Sequence, residues 1–176
     1  IGSTAVGREL FELAGKLGKE SSINGNGKNH VLVMPDCNVE LVVEGLLRGC
    51  YGMTGQRCLG VDNLLFVGKA YDEVRDKFIE ASASMKLGYG LDETTELGPM
   101  ISEKGRQKVI DFIETGIKEG AKIALDGRGV KVEGGEKGFF LGPTILDDVH
   151  PDMQIARIEA FGPVANLLRP RDLDEA

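Results

Sequence analysis

Two periodicities take turns along this sequence, and their alternation limits the folds open to it more than any other feature. Apolar residues at helical spacing occur at Val6, Leu10, Leu13, Ala14 and Leu17, and again at Val39, Val42, Val43, Leu46 and Leu47. A third set is Val74, Phe78, Ile79 and Met85, and a fourth is Val109, Ile110, Ile113 and Ile117. Between and after them stand short apolar runs bounded by turn residues: His30–Met34, Leu64–Val67, Lys122–Leu125, Thr144–Leu146 and Val164–Leu168. Helices alternating with strands predict an α/β fold with a mostly parallel sheet.

Local signals place the element ends. Asn38 and Ser102 stand where a side-chain oxygen can cap a helix, and Asp72 and Glu73 lie where a helix N-terminus favours negative charge. Gly15 and Gly18 loosen and end the first helix, and Gly120 ends the fourth. Two further short strands are expected at Val130–Glu133 and Phe139–Phe140, with a long loop over Gly88–Pro99. The first helix is fed directly by a glycine turn, Gly2 to Gly7. In an α/β unit a strand normally precedes such a turn, so the chain reads as part of something longer.

Composition removes several function classes. At 176 residues, with 41% hydrophobic and 28% charged residues, the chain can bury about 70% of the surface its unfolded form exposes. A net charge of −7, no Trp and 6% aromatic residues argue against nucleic-acid binding. No apolar run reaches the roughly 18 residues needed to span a bilayer, so no membrane partner is expected. The N-terminal residues carry no export signal. Three cysteines without a CxxC spacing, and two histidines, predict neither a disulfide framework nor a metal site. Such cysteine usage suits a reducing compartment, the cytoplasm or alternatively the mitochondrial matrix. Glycine, at 25 residues, is about twice its usual share, which calls for many tight turns and close backbone approaches.

Cys58 is the strongest chemical candidate. A nucleophilic thiol needs access and a nearby cation, and Cys58 follows Arg57 inside the glycine-punctuated loop Gly52–Gly60. The competing reading is a buried small hydrophobe, which is the reading that Cys37 and Cys50 receive. The turn from Gly2 through Ser3 to Gly7 could present free N–H groups to a phosphate, or be an ordinary helix entry. Glu159 is an acidic residue in the apolar run Ile158 to Val164, which suggests a hydrogen-bonding task.

Taken together, these segments resemble the aldehyde dehydrogenase superfamily. Gly2-Ser3-Thr4-Ala5-Val6-Gly7 is similar to its dinucleotide-site GSTxxG turn, and Tyr51–Cys58 to the stretch ending in GQxC that holds the catalytic thiol. Leu97–Ile101 resembles the (L/M)GP(L/M)I segment and Glu159–Val164 the ExFGPV motif, with Gly142-Pro143-Thr144 between them. Members usually read EEIFGPV, where this chain has Ile158 and Ala160 around Glu159. Within the superfamily, Gly27–His30, Val33–Asp36 and Gly55–Cys58 look most like the CoA-acylating methylmalonate semialdehyde dehydrogenases. Hydrolytic members have Glu-Leu-Gly-Gly-Lys where this chain has Asn24-Gly25-Asn26-Gly27-Lys28, so Asn24 stands in place of their general-base glutamate. An amide takes no proton from water, whereas a thiol acceptor needs less activation.

The resemblance implies a catalytic domain over residues 27–176, incomplete at its C-terminus, after the tail of a Rossmann-like NAD-binding domain over residues 1–26. It implies that Cys58 attacks an aldehyde of the malonate or methylmalonate semialdehyde type, that NAD takes the hydride, and that coenzyme A takes the acyl group from the thioester. Gly2, Ser3 and Gly7 would line the cofactor's phosphates, Glu159 would hold its nicotinamide ribose, and Phe161 would lie against that end. Arg57 could pair with a substrate carboxylate. Full-length members would form homo-oligomers, dimers or tetramers. Two other readings stand beside this one: an acid-releasing NAD(P) aldehyde dehydrogenase, and a non-catalytic module that retains the fold. By itself the chain is expected to be inactive or nearly so.

Overall fold

A computed structural model describes residues Ile1 to Ala176. Five strands form one sheet: β1 (Asn29–Val33), β2 (Val61–Phe66), β3 (Lys122–Leu125), β4 (Thr144–Asp147) and β5 (Val164–Leu168). Their order across the sheet is β1-β2-β5-β4-β3, with parallel pairing everywhere except between β3 and β4. The mostly parallel α/β fold read from the sequence is the observed one. Central strands β4 and β5 are buried at every position, while the edge strands β1 and β3 are only partly covered, the pattern of a sheet packed on both faces.

Alternation along the strands divides the core. On one face Leu64 and Phe66 of β2, Ile145 of β4, and Ala165 and Leu167 of β5 meet helices α2 (Val39–Tyr51) and α3 (Ala70–Ala83). Tyr51 and Phe78 stack between these two helices with ring centroids 5.9 Å apart. On the other face Leu65, Leu146, Val164 and Leu168 meet Val109 and Ile113 of α4 (Glu103–Glu119) and Ile155 of the one-turn helix α5 (Gln154–Arg157). Asn38 and Ser102 cap α2 and α4 as expected, accepting from the Leu41 and Gly105 amides at 3.0 and 3.1 Å. Gly120, in the left-handed conformation, closes α4.

At three places the structure corrects or completes the expectations. Residues Val130–Glu133 and Phe139–Phe140 form no strand: β3 pairs only with β4, and this stretch closes on itself through Gly135 N–H to Val132 O and Gly138 N–H to Gly135 O. Second, the stretch from Gly2 to Gly7 is a helix entry, one of its two readings, with α1 (Thr4–Lys16) starting inside it and Ser3 as its cap. Third, α5 has no counterpart in the sequence reading. Its carbonyls at Ile155 and Ala156 accept from Asn166 and Asn63, a buried cross-strand pair on β5 and β2, and the Glu119 carboxylate caps its first amides. No helix is long and apolar enough to cross a membrane.

Candidate active site

Cys58 lies in the connection from α2 to β2, three residues before the strand, and of the three cysteines it is the exposed one. The connection is shaped by an unusual backbone. Met53, Thr54 and Gly55 all have positive φ, at 56, 57 and 67°, so the chain reverses handedness immediately after α2. Only glycine fits at 55, because a Cβ there would meet the Gly162 carbonyl oxygen at 2.0 Å. Three side chains fix the rest of the loop. Thr54 Oγ1 donates to Gly98 O at 3.1 Å, Gln56 Oε1 accepts from the Ile101 amide at 3.0 Å, and Asn29 Nδ2 donates to Cys58 O and Gly60 O at 2.8 and 2.7 Å.

A second strand entry faces the first. Glu159 and Phe161 precede β5, which lies beside β2 in the sheet. Glu159 is buried and its Oε2 accepts from Asn26 Nδ2 at 2.6 Å, while Oε1 has no partner in the chain. Phe161 is held at φ 54°, a conformation rare for a bulky residue, and stays 40% exposed. Gly162 behind it touches Val109 of α4, and a Cβ at that position would clash with it at 2.5 Å.

These groups converge on one cavity of about 500 Å3, lined by Gly2 and Ser3, by Gly25 and Asn26, by Gln56, Arg57 and Cys58, and by Glu159, Ala160 and Phe161. Met100, Ile101, Gly105 and Lys108 close it from the start of α4. The cavity therefore sits at the amino ends of β1, β2 and β5, opposite to the carboxyl ends that carry sites in most open parallel sheets.

Six of the seven residues picked from the sequence line this cavity: Gly2, Ser3, Arg57, Cys58, Glu159 and Phe161. Gly7 does not. It lies inside α1, packed so closely on Ile23 that a Cβ would meet its methyl carbon at 2.5 Å, which is a helix-packing contact. The guanidinium of Arg57 is turned beneath α2, where Nη2 donates to the carbonyls of Arg48 and Gly49 at the helix end. Cys37 is partly buried against the core, and Cys50 is fully buried, which pushes its thiol well above the ordinary range. Asn24 is exposed and its backbone carbonyl accepts from Gly2 N–H at 3.1 Å.

Sequence reasoning passed over Asn26, Lys28 and Asn29. Lys28 Nζ donates to Ile158 O at 2.8 Å and lies 3.5 Å from Asp62. Its burial lowers the ammonium below its ordinary range, with Asp62 and Glu159 pulling the other way. Only the polar character of the segment marked them, because each partner of their side chains lies at least 29 residues away apart from Thr4 in α1.

The aldehyde dehydrogenase family model matches residues 1–176. A relative in Anopheles gambiae, described as a probable methylmalonate-semialdehyde/malonate-semialdehyde dehydrogenase [acylating], mitochondrial, is 42% identical over 176 residues, all of this chain and 34% of the relative. Among solved structures, methylmalonate-semialdehyde dehydrogenase from Oceanimonas doudoroffii superposes with a TM-score of 0.94 at 35% identity, over 99% of this chain and 36% of that one. Betaine aldehyde dehydrogenase from Staphylococcus aureus in complex with NAD+ gives 0.94 at 29% identity, over 99% and 34%. The chain thus spans about a third of the length of the relatives it matches.

Proposed function

This chain belongs to the aldehyde dehydrogenase family, and from that premise we propose that it carries the thiol-bearing part of an NAD-dependent, CoA-acylating oxidation of a malonate- or methylmalonate-semialdehyde-type substrate. One observation carries the reading: the exposed Cys58 shares a cavity with a buried carboxylate, Glu159, and with Gly2 and Ser3, which lead into and cap a helix.

The residues fit a dinucleotide. Glu159 Oε1 is without a partner and suits a ribose hydroxyl, Phe161 offers an apolar face, and the start of α1 at Gly2 and Ser3 suits phosphate oxygens. When bound, NAD+ supplies the hydride acceptor. The chain's own part is nucleophilic. The Cys58 thiolate forms a C–S bond to the aldehyde carbon, whose carbonyl electrons move onto oxygen, and the Cys58 N–H is one donor that can meet that oxyanion. With NAD+ bound there to take the hydride, collapse of the oxyanion would leave a thioester on Cys58. The thiolate of coenzyme A then bonds to the acyl carbon and the Cys58 thiolate leaves. In this scheme residues 1–26 serve the cofactor and residues 27–176 carry the thiol. A substrate-carboxylate role for Arg57 requires its guanidinium to swing out from under α2.

Asn24 favours acyl transfer over hydrolysis, since its amide is no base for water. The test is a chimera in which this chain replaces the matching third of the Oceanimonas doudoroffii enzyme. Steady-state NADH formation from malonate semialdehyde, beyond the first equivalent per thiol, is expected to require CoA, and all NADH formation to vanish with Cys58→Ser. Turnover unchanged without CoA would favour the acid-releasing alternative, and Asn24→Glu is expected to raise CoA-independent release. Thiol labelling of the intact chain, read by mass, is expected to mark Cys58 well before Cys50. Equal labelling would point to the inert module.

A further inference from the structure

We propose that Asn26 to Asn29 form a positioning strap, four consecutive residues that fix the cofactor-side carboxylate and the thiol in one frame. The proposal rests on the roles given above to Glu159 and Cys58, and it goes beyond them by naming what holds those groups.

Three side chains of the strap reach three separate parts of the chain. Asn26 is bound through both ends of its side-chain amide and through its backbone N–H. Its Nδ2 donates to Glu159 Oε2 at 2.6 Å, its Oδ1 accepts from Thr4 N and Thr4 Oγ1 at 3.0 Å each, and its own amide donates to Thr4 Oγ1 at 3.1 Å. Thr4 is the first residue of α1, whose leading amides have no partner within the helix. One amide side chain therefore closes a helix start and orients a buried carboxylate. Because Nδ2 occupies Oε2, the free oxygen Oε1 is the one left for a ligand. A glycine, which the motif resembled by this segment has at position 26, could make none of the side-chain contacts.

Lys28 and Asn29 point elsewhere. Lys28 Nζ holds Ile158 O, the carbonyl next to Glu159, and sits over the Phe112 ring at 5.3 Å. Asn29 Nδ2 bridges Cys58 O and Gly60 O, and the Asn29 amide donates to Asp62 Oδ2 at 3.3 Å. Asn29 begins β1 at an irregular register with β2, so the bridging amide is anchored by sheet pairing a residue later. Asp62 also pairs with Lys28, which ties the strap to β2. Thr54 and Gly55 are buried and held from the side of Gly98 and Gly162, whereas Cys58 and Leu59 are exposed, and the Asn29 amide is the side chain that holds the main chain on both sides of Leu59. The two carbonyls bridged by Asn29 flank Leu59 and fix the course of the chain from Cys58 into β2.

The strap separates into two testable halves. Hydrogen exchange on the intact 176-residue chain is expected to speed at least tenfold over residues 56–61 in Asn29→Ala, with residues 154–161 unchanged. In Asn26→Ala the reverse is expected, with faster exchange at the start of α1 and over 158–161, and residues 56–61 unchanged. If Asn29→Ala does not fold, Asn29→Ser gives the same comparison. In the chimera, Asn26→Ala is expected to raise KM for NAD+ at least fivefold with kcat little changed, and Asn29→Ala to lower kcat at least fivefold with KM for NAD+ unchanged. Unaltered exchange over 56–61 in Asn29→Ala, or equal loosening of both regions in both variants, overturns the strap. An unsubstituted chimera that makes no NADH while the exchange pattern holds overturns the proposed reaction and leaves the strap standing.

Discussion

Gly55 is where a single atom decides most. Its φ of 67° and the 2.0 Å approach that a Cβ would make to Gly162 O act together, so backbone strain and a clash with fixed main chain add. Gly55→Ala is expected to cost at least about 2 kcal/mol, read as a lower urea midpoint, whereas a glycine facing open space, such as Gly45 in α2, should tolerate alanine. Lys28 gives a pH signature. Burial lowers its pKa in the folded chain below the ordinary 10.5, so in the window just under that value the unfolded chain holds the extra proton. Unfolding free energy should therefore rise with pH through this window, and Lys28→Met should remove that rise in urea titrations at stepped pH. Cys58, Glu159 and Phe161 were legible because each sits in a short motif whose neighbours are local. Asn26 and Asn29 were not, because an asparagine in a polar loop looks the same whether its amide meets water or a carboxylate 133 residues away.

At the scale of elements, the signals that worked were those that act within one turn. Ser102 accepts from the amide three residues on, and the same geometry holds for Asn38. Ser102→Ala is expected to cost about 1 kcal/mol of stability by chemical denaturation, the usual cost of losing an N-cap. Helix α5 escaped the same reasoning because its cap comes from Glu119, at the end of another helix, and its carbonyls are taken by Asn63 and Asn166 on the sheet. A four-residue helix has too few positions to show a period. The opposite error at Val130–Glu133 arose because Val130 and Val132 alternate with Lys131 and Glu133 as strand residues would, yet the stretch closes in turns of its own and pairs with no strand.

Within these 176 residues burial is uneven, with the sheet and its flanking helices packed and α1 mostly exposed. Ile113 is fully buried between α4 and the sheet, so Ile113→Ala should cost about 2 to 5 kcal/mol. On α1, Val6, Leu10, Phe11, Leu13 and Leu17 are each at least half exposed, so Leu10→Gln should move stability by no more than about 0.5 kcal/mol in the same assay. The periodicity that predicted α1 was right about its conformation and silent about its burial. The order of strands bears on time as well as on shape. Neighbours β2 and β5 pair at the centre of the sheet, yet residues 67 to 163 run between them. Closing so long a loop is entropically slow. On a ribosome, Cys58 would leave the exit tunnel long before Glu159 and Gly162 exist to pack beside it, so the nucleophile is born without its surroundings and waits for the main chain that completes them.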